Sequence, residues 1–234
     1  MAAKITLSQD TPVKKANLDL SRAEELTVGL EWDGRDARYD GQGRVLRYGE
    51  GDLDVYFFCR NEQTGEYVVI SGEAGHRGDL ESWPYVQHSG DSRGPGYRNR
   101  PASEHVRVRP DENGDLLVNV YQSVDNGRGG IDEFGRPRVV IRCGRPDEDP
   151  DEIVVEVGNG EERYWATVAH IDVRDGVLTV DGETRYAPPR AEEMPGLDTA
   201  GNWVPAFEGG PVGQSKEDEG AGLDRYSGMC PPPA

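Results

Sequence analysis

Two carboxylates lie one residue apart at the start of an apolar stretch. Asp52 and Asp54 lead into Val55 to Cys59, whose apolar and aromatic residues favour a buried β-strand. Residues two apart on a strand point to the same side, so both carboxylates would lie together at the mouth of that strand. A divalent cation is the simplest way to cancel their mutual repulsion. The pair therefore predicts a metal site.

Two other stretches could bring acidic residues to the same place. The alternating run from Leu26 to Trp32 ends at Asp33, and we expect that strand to neighbour the one after Asp54. Asp91 lies among glycines in residues 86–96, where the loop could wrap closely and offer backbone carbonyls as well as a carboxylate. Calcium takes roughly six to eight oxygen ligands, so this combination of donors favours calcium.

These stretches together resemble the TerD family of tellurium-resistance and stress proteins, which includes calcium-binding members and relatives that bind cyclic AMP. The matching blocks are Thr27-Val28-Gly29-Leu30-Glu31-Trp32-Asp33, Asp52-Leu53-Asp54-Val55, and His88-Ser89-Gly90-Asp91-Ser92 with Gly94. The resemblance extends over residues 4–186, and the order and approximate spacing of the blocks are kept.

The resemblance implies a β-sandwich with calcium at one end. Its candidate ligands are Asp33, Asp52, Asp54, Asp91 and Glu104. Members of the family carry several acids after the glycine loop, whereas this chain has arginines at positions 93, 98 and 100 and keeps only Glu104. One or two bound calcium ions are therefore expected, and one of the family's two sites is weak, altered or lost.

The charge balance limits the classes of partner. The chain has 44 acidic and 26 basic residues among 234, a formal charge of -18, which argues against nucleic acid and anionic membranes and suits cations or basic protein surfaces. General solubility explains the excess equally well. There is no apolar run long enough to span a membrane and no signal-like segment, so we expect a cytoplasmic protein without membrane insertion. Cys59, Cys143 and Cys230 form no Cys-x-x-Cys pair; the first two are expected to be small buried residues rather than zinc or redox groups.

The pattern of strands predicts the fold. Strand-like runs recur about every ten residues without an amphipathic helix, which indicates an all-β, antiparallel β-sandwich over residues 1–187. Residues 54–59 with 67–70, and 164–171 with 177–180, are expected to form hairpins, while 33–51 and 123–138 are expected to be long loops. Residues 188–234 contain half of the 16 prolines and are predicted to be mostly disordered or loosely docked. The exceptions are Trp203, Val204 and Phe207, which could dock onto the sandwich or a partner.

Catalytic signals are weak, and three functions remain open. The four histidines (His76, His88, His105 and His170) are scattered and no nucleophile or phosphate-loop motif is present, so we do not expect an enzyme. The leading hypothesis is a calcium-binding scaffold or sensor that works with other proteins of a stress-response complex. The alternatives are an anion- or cyclic-nucleotide-binding module that uses the basic segment Arg93 to Arg109, and a protein-interaction module with a vestigial metal site.

Overall fold

The computed structural model places the chain in two stacked β-sheets. It describes residues 2–11, 15–20, 25–61, 63–64, 67–72, 75–90, 92, 94–95, 100–110, 114–122, 129–144, 149–158, 162–174, 176–189, 194–197 and 203–207. Nearly all regular structure in these residues is strand, and the described part of the chain contains no α-helix. The predicted all-β class is confirmed.

Seventeen strands and one short 3-10 helix are found in the described residues. The strands are β1 (Lys4–Leu7), β2 (Lys15–Asp19), β3 (Leu26–Trp32), β4 (Arg38–Tyr39), β5 (Val45–Arg47), β6 (Asp54–Arg60), β7 (Tyr67–Ile70), β8 (Val86–His88), β9 (Ala102–Val108), β10 (Asp115–Tyr121), β11 (Arg138–Cys143), β12 (Asp151–Glu156), β13 (Trp165–Arg174), β14 (Val177–Asp181), β15 (Arg185–Tyr186), β16 (Met194–Leu197) and β17 (Trp203–Phe207). The 3-10 helix spans Ile131–Phe134.

Each large sheet is built largely from antiparallel pairs. The first sheet has the order β1-β12-β11-β3-β9-β8, and the second has the order β2-β14-β13-β10-β6-β7, with β15 paired to β13. Among the described strands, only β1 and β12 pair in parallel. The hairpins β6–β7 and β13–β14 confirm two sequence predictions.

The core lies between the sheets because the strands alternate. In β3, Val28, Leu30 and Trp32 are fully buried, and they belong to the same core cluster as Phe57 and Val118 of the second sheet. Cys59 and Cys143 are buried, as predicted, and burial raises the pKa of the Cys59 thiol well above its ordinary value. No helix in the described part of the chain is long and apolar enough to cross a membrane.

Three segments contain more regular structure than their composition predicted. Residues 33–51 were expected to be a loop, but they contain the antiparallel pair β4 and β5. The 3-10 helix lies within the glycine-rich stretch 123–138 and buries Ile131 and Phe134. In residues 188–234, strands β16 and β17 form a hairpin of their own, and the residues after Phe207 lie outside the described part.

Candidate functional site

Three loop segments meet at one end of the sandwich. The indole Nε1 of Trp32, the last residue of β3, donates a hydrogen bond of 3.1 Å to the carbonyl of Gly51. The glycine loop approaches the residues that follow β3 and those that precede β6. A Cβ built on Gly34 would lie 2.6 Å from Cγ of Pro95, and one built on Gly94 would lie 3.6 Å from the carbonyl oxygen of Gly51, so the three backbones are close together. We call residues 33–36, 49–53, 92, 94 and 95 the loop junction. The three sequence blocks that suggested a metal site therefore approach one another there.

Glu104 ties the glycine loop to the start of β6. Its carboxylate is fully buried. Oε2 accepts a hydrogen bond of 2.9 Å from the amide of Val55, and Oε1 accepts one of 3.1 Å from the amide of Ser92. Backbone N–H groups compensate a buried carboxylate because they replace the lost hydration. The side chain thus links β9, β6 and the loop junction.

His88 is a second buried member of this cluster. Its Nδ1 accepts a hydrogen bond of 2.9 Å from the Gly90 amide, while Nε2 lies 3.2 Å from the Val55 carbonyl and 3.6 Å from Glu104 Oε2. Since Nδ1 accepts, the proton of the neutral ring belongs on Nε2, which donates to Val55. Sequence reasoning treated His88 as a scattered histidine; its place in the block beside Asp91 was the available signal.

Asp33 is paired with a cationic side chain of the protein. Its carboxylate is 2% exposed, and Oδ2 accepts hydrogen bonds from Arg136 Nε at 3.0 Å and Nη2 at 2.9 Å and from the Tyr39 hydroxyl at 3.1 Å. The Arg136 guanidinium also lies 3.9 Å above the Tyr39 ring centroid. Burial, reinforced by the negative charge of Asp33, raises the pKa of Tyr39 and keeps its hydroxyl a donor. Sequence reasoning missed Arg136, which is 103 residues from Asp33.

The remaining candidate ligands lie at the start of β6 and in the glycine loop. Asp52 is half-buried and Asp54 is 6% exposed, and Leu53 between them is fully buried. Asp91 lies outside the described residues. Among those that are described, no three His, Cys, Asp or Glu side chains are grouped closely enough to hold a metal ion. A calcium site here would therefore need Asp91 or backbone carbonyls beside Asp52 and Asp54.

A cleft opens beside Asp33. It has a volume of about 630 Å³, and its lining includes Tyr48, Pro101, Arg136 and Arg138. Arg138 donates to Glu31 over 2.8 Å, and its Nη1 lies 3.8 Å from Asp33 Oδ1. The charges in the cleft are therefore largely balanced by partners within the chain.

The basic segment is also engaged internally where it is described. Arg107 forms two hydrogen bonds with Glu25, at 2.6 and 2.9 Å, and Arg109 lies 4.4 Å above the Tyr85 ring centroid. Arg100 is exposed, and residues 93 and 98 lie outside the described part. These contacts give the anion-binding alternative no specific support.

The loop that precedes β8 is organised by its own hydrogen bonds. Asp79 accepts bonds from the amides of Glu81 and Ser82 and from the Ser82 hydroxyl, at 2.6 to 2.7 Å. The hydrogen bonds from Ser82 hold the pKa of Asp79 below its ordinary value.

The comparisons with known proteins give a likeness of fold. No family model matches the chain, and no curated protein matches it significantly. Among solved structures, the chain is similar to a homologue of the telluride resistance protein TerD from Streptomyces coelicolor A3(2), with 19% identity, 70% of this chain and 86% of that chain covered, and a TM-score of 0.43. A second crystal structure, of a protein of unknown function, has 16% identity, covers 72% and 88% of the two chains, and has a TM-score of 0.43. Such values concern overall fold and do not bear on the chemistry of the site.

Proposed function

We propose that this chain is a non-enzymatic calcium-binding β-sandwich protein of the tellurium-resistance and stress-response type. It acts in the cytoplasm as a scaffold or sensor together with other proteins of a stress-response complex. The observation that carries the proposal is the loop junction, where the end of β3, the start of β6 and the glycine loop meet beside Asp52 and Asp54. Cys59 is a free, buried thiol, which suits a reducing compartment.

The donors fit calcium in kind, but the five candidate residues do not play equal parts. Asp52, Asp54 and Asp91, with loop carbonyls, supply the hard oxygen ligands that calcium requires. Glu104 uses both oxygens on backbone amides, so we assign it the role of holding the glycine loop in place. Asp33 has a guanidinium partner in Arg136. We therefore propose one ion rather than two.

Bound calcium would cancel the repulsion between the carboxylates and connect the glycine loop to the start of β6. Anything that binds the folded chain alone also stabilises it, by about 2.7 kcal/mol when the free ligand is at a hundred times its dissociation constant. A sensor could use this gain, because the surface around the loop junction would become more ordered when the ion binds.

Calorimetric titration with calcium tests the proposal. We expect saturable heat with about one ion per chain for the wild type, and its loss in Asp52→Ala/Asp54→Ala. A matched control is Asp10→Ala/Asp79→Ala, which removes the same charge from two exposed positions outside the loop junction. Equal heats for the wild type and Asp52→Ala/Asp54→Ala would remove the proposal. An equal loss in the control would attribute binding to general charge.

A further inference from the structure

The centre of the second sheet is buried on both of its faces. Every residue of β6 and of β10 is buried. Phe57 and Cys59 point into the core between the sheets, so the alternating residues Tyr56 and Phe58 point away from it. The outer face of the first sheet is different, because Glu31 and Arg142 form ion pairs there that solvent partly reaches. A third layer must therefore cover the outer face of the second sheet.

The covered face is aromatic. Tyr121 and Trp165 stack with ring centroids 4.2 Å apart, and Tyr56 meets Trp165 edge-on at 5.0 Å. All three are fully buried, and they form one cluster with Phe58 and Leu117. We call this cluster of five residues the outer aromatic face. Asp54 lies opposite Tyr121 and two residues before Tyr56, so this face begins next to the loop junction, but none of its five residues is a proposed calcium ligand.

Trp165 leaves a donor available on this face. Its indole Nε1 is buried and has no hydrogen-bond partner among the described residues. A buried tryptophan N–H usually finds an acceptor. Flat aromatic surfaces with such a donor suit peptide segments that contain proline, because proline rings stack on them and peptide carbonyls accept the hydrogen bond.

The chain itself brings a suitable segment to this face. Ala187, where the chain leaves the sandwich, is fully buried within the cluster, and its amide donates to the Trp165 carbonyl over 3.0 Å. Strand β16 follows and lies next to β13 and β15. The hairpin register pairs Leu197 with Trp203 and Met194 with Phe207.

We propose that the outer aromatic face is a peptide-docking surface and that its resting occupant is the chain's own segment 188–207. Strands β16 and β17 form a separate two-stranded sheet that continues neither large sheet. An isolated hairpin is only marginally stable in water, so its order depends on the face beneath it. Because no strand ladder joins this described hairpin to either large sheet, the segment can be displaced without unfolding the sandwich.

Hydroxyl-radical footprinting of the full chain tests the docking. The readout is the oxidation of Trp165, Tyr56 and Tyr121 compared with that of Trp32, which is buried in the inner core. We expect protection of all four in the wild type and several-fold faster oxidation of the first three in Trp203→Ser/Phe207→Ser, with Trp32 unchanged. Leu46→Ser is the matched control, since Leu46 is an exposed apolar residue elsewhere on the molecule. Unchanged protection of Trp165 in the double variant would overturn the proposal.

If Trp32 is also oxidised in the double variant, that variant has failed to fold, and a second experiment is needed to test the proposal. A protease site inserted after Pro189 of the otherwise wild-type chain is cut after folding, and the footprint is read before and after gel filtration. Trp165 should stay protected from oxidation in fractions where the released fragment co-elutes with the sandwich, and it should lose protection where the fragment separates. A synthetic peptide of residues 188–210 should restore the protection. Trp165 that stays protected after the fragment has left would overturn the proposal.

Discussion

Single residues at the loop junction have partners that their type alone does not reveal. Asp33 was a candidate calcium ligand because of its position at the end of a strand, yet its carboxylate is paired with Arg136. Residue spacing could not predict this pair, since the two positions are brought together only by the pairing of β3 with β11. Glu104 was identified through the family resemblance, but its contacts with the amides of Val55 and Ser92 depend on how the two sheets stack.

Removal of Arg136 measures the importance of this pairing. In Arg136→Leu, the partners of the nearly buried Asp33 among the described residues would be reduced to the Tyr39 hydroxyl and the more distant Arg138. Loss of a fully buried partner costs about 3–5 kcal/mol, and Arg136 is half-exposed, so we expect a loss on the order of 2 kcal/mol in urea denaturation. Asp33→Asn in the same chain should recover part of it. Arg44→Leu, which breaks an exposed pair with Asp40, is the control, and an equally small effect of Arg136→Leu would contradict the expectation.

Among the elements, the long strands could be predicted and the short ones could not. β3 and β9 alternate between buried and more exposed residues, so their period identified them. The 3-10 helix has four residues and the β4–β5 hairpin has still shorter strands, which is too little for a period to appear. What holds the 3-10 helix is tertiary contact: Phe134 is fully buried, and the Arg35 guanidinium lies 4.5 Å above its ring centroid.

The turn after the 3-10 helix fastens it to the end of β3, and Gly135 is the residue that permits it. The Gly135 and Phe134 carbonyls accept from the amides of Asp33 and Gly34, each over 2.8 Å. Gly135 has φ of +67°, and a Cβ there would lie 2.6 Å from the Gly34 carbonyl oxygen. Gly176 has a similar φ of +73° but open space around it.

Comparison of two glycine substitutions separates conformational strain from steric conflict. Gly176→Ala should cost about 1 kcal/mol, the strain of a left-handed conformation alone. Gly135→Ala adds a clash with backbone that cannot move away easily, so we expect clearly greater destabilisation in urea and faster hydrogen exchange at the Asp33 and Gly34 amides. Equal costs for the two variants would mean that the loop junction yields readily at this point.

For the whole molecule, strand spacing predicted the two-layer sandwich, but it did not predict the extra cover on one side. The sequence signal for this cover is Tyr56-Phe57-Phe58, three consecutive aromatic residues. A strand with one solvent-exposed face would alternate apolar and polar residues instead. Composition argued the other way, since a tail rich in proline and glycine is typical of disorder. The sequence did not predict the parallel pairing of β1 with β12 either. The two strands are far apart in the chain, and the other strands of the first sheet lie between them in sequence.

A buried polar cluster on this outer side makes the stability of the molecule depend on acidic pH. Asp115 in β10 is paired with Arg60 in β6, and His170 Nε2 of β13 lies 2.7 Å from Asp115 Oδ1. Burial alone would raise the pKa of the Asp115 carboxyl, but hydrogen bonds with His170 and Arg60 outweigh it and hold the pKa below its ordinary value of 3.8. A carboxyl with a lower pKa in the folded state contributes stability that is complete well above pH 3.8 and is lost as the pH falls through the folded value.

Urea denaturation of the wild type and Asp115→Asn at pH 7 and at several values below 4 measures this contribution. At pH 7 the variant should be less stable by about 3 kcal/mol or more, because Arg60 loses its buried partner. Below pH 3.8 the difference should narrow, since the wild-type carboxyl is then increasingly protonated and its ion pairs across β6, β10 and β13 are lost. Asp10→Asn makes the same chemical change in an exposed turn and should give a curve parallel to that of the wild type. A difference in the free energy of unfolding between wild type and Asp115→Asn that stays constant across the pH range would mean that packing, and not the charge of Asp115, stabilises the cluster.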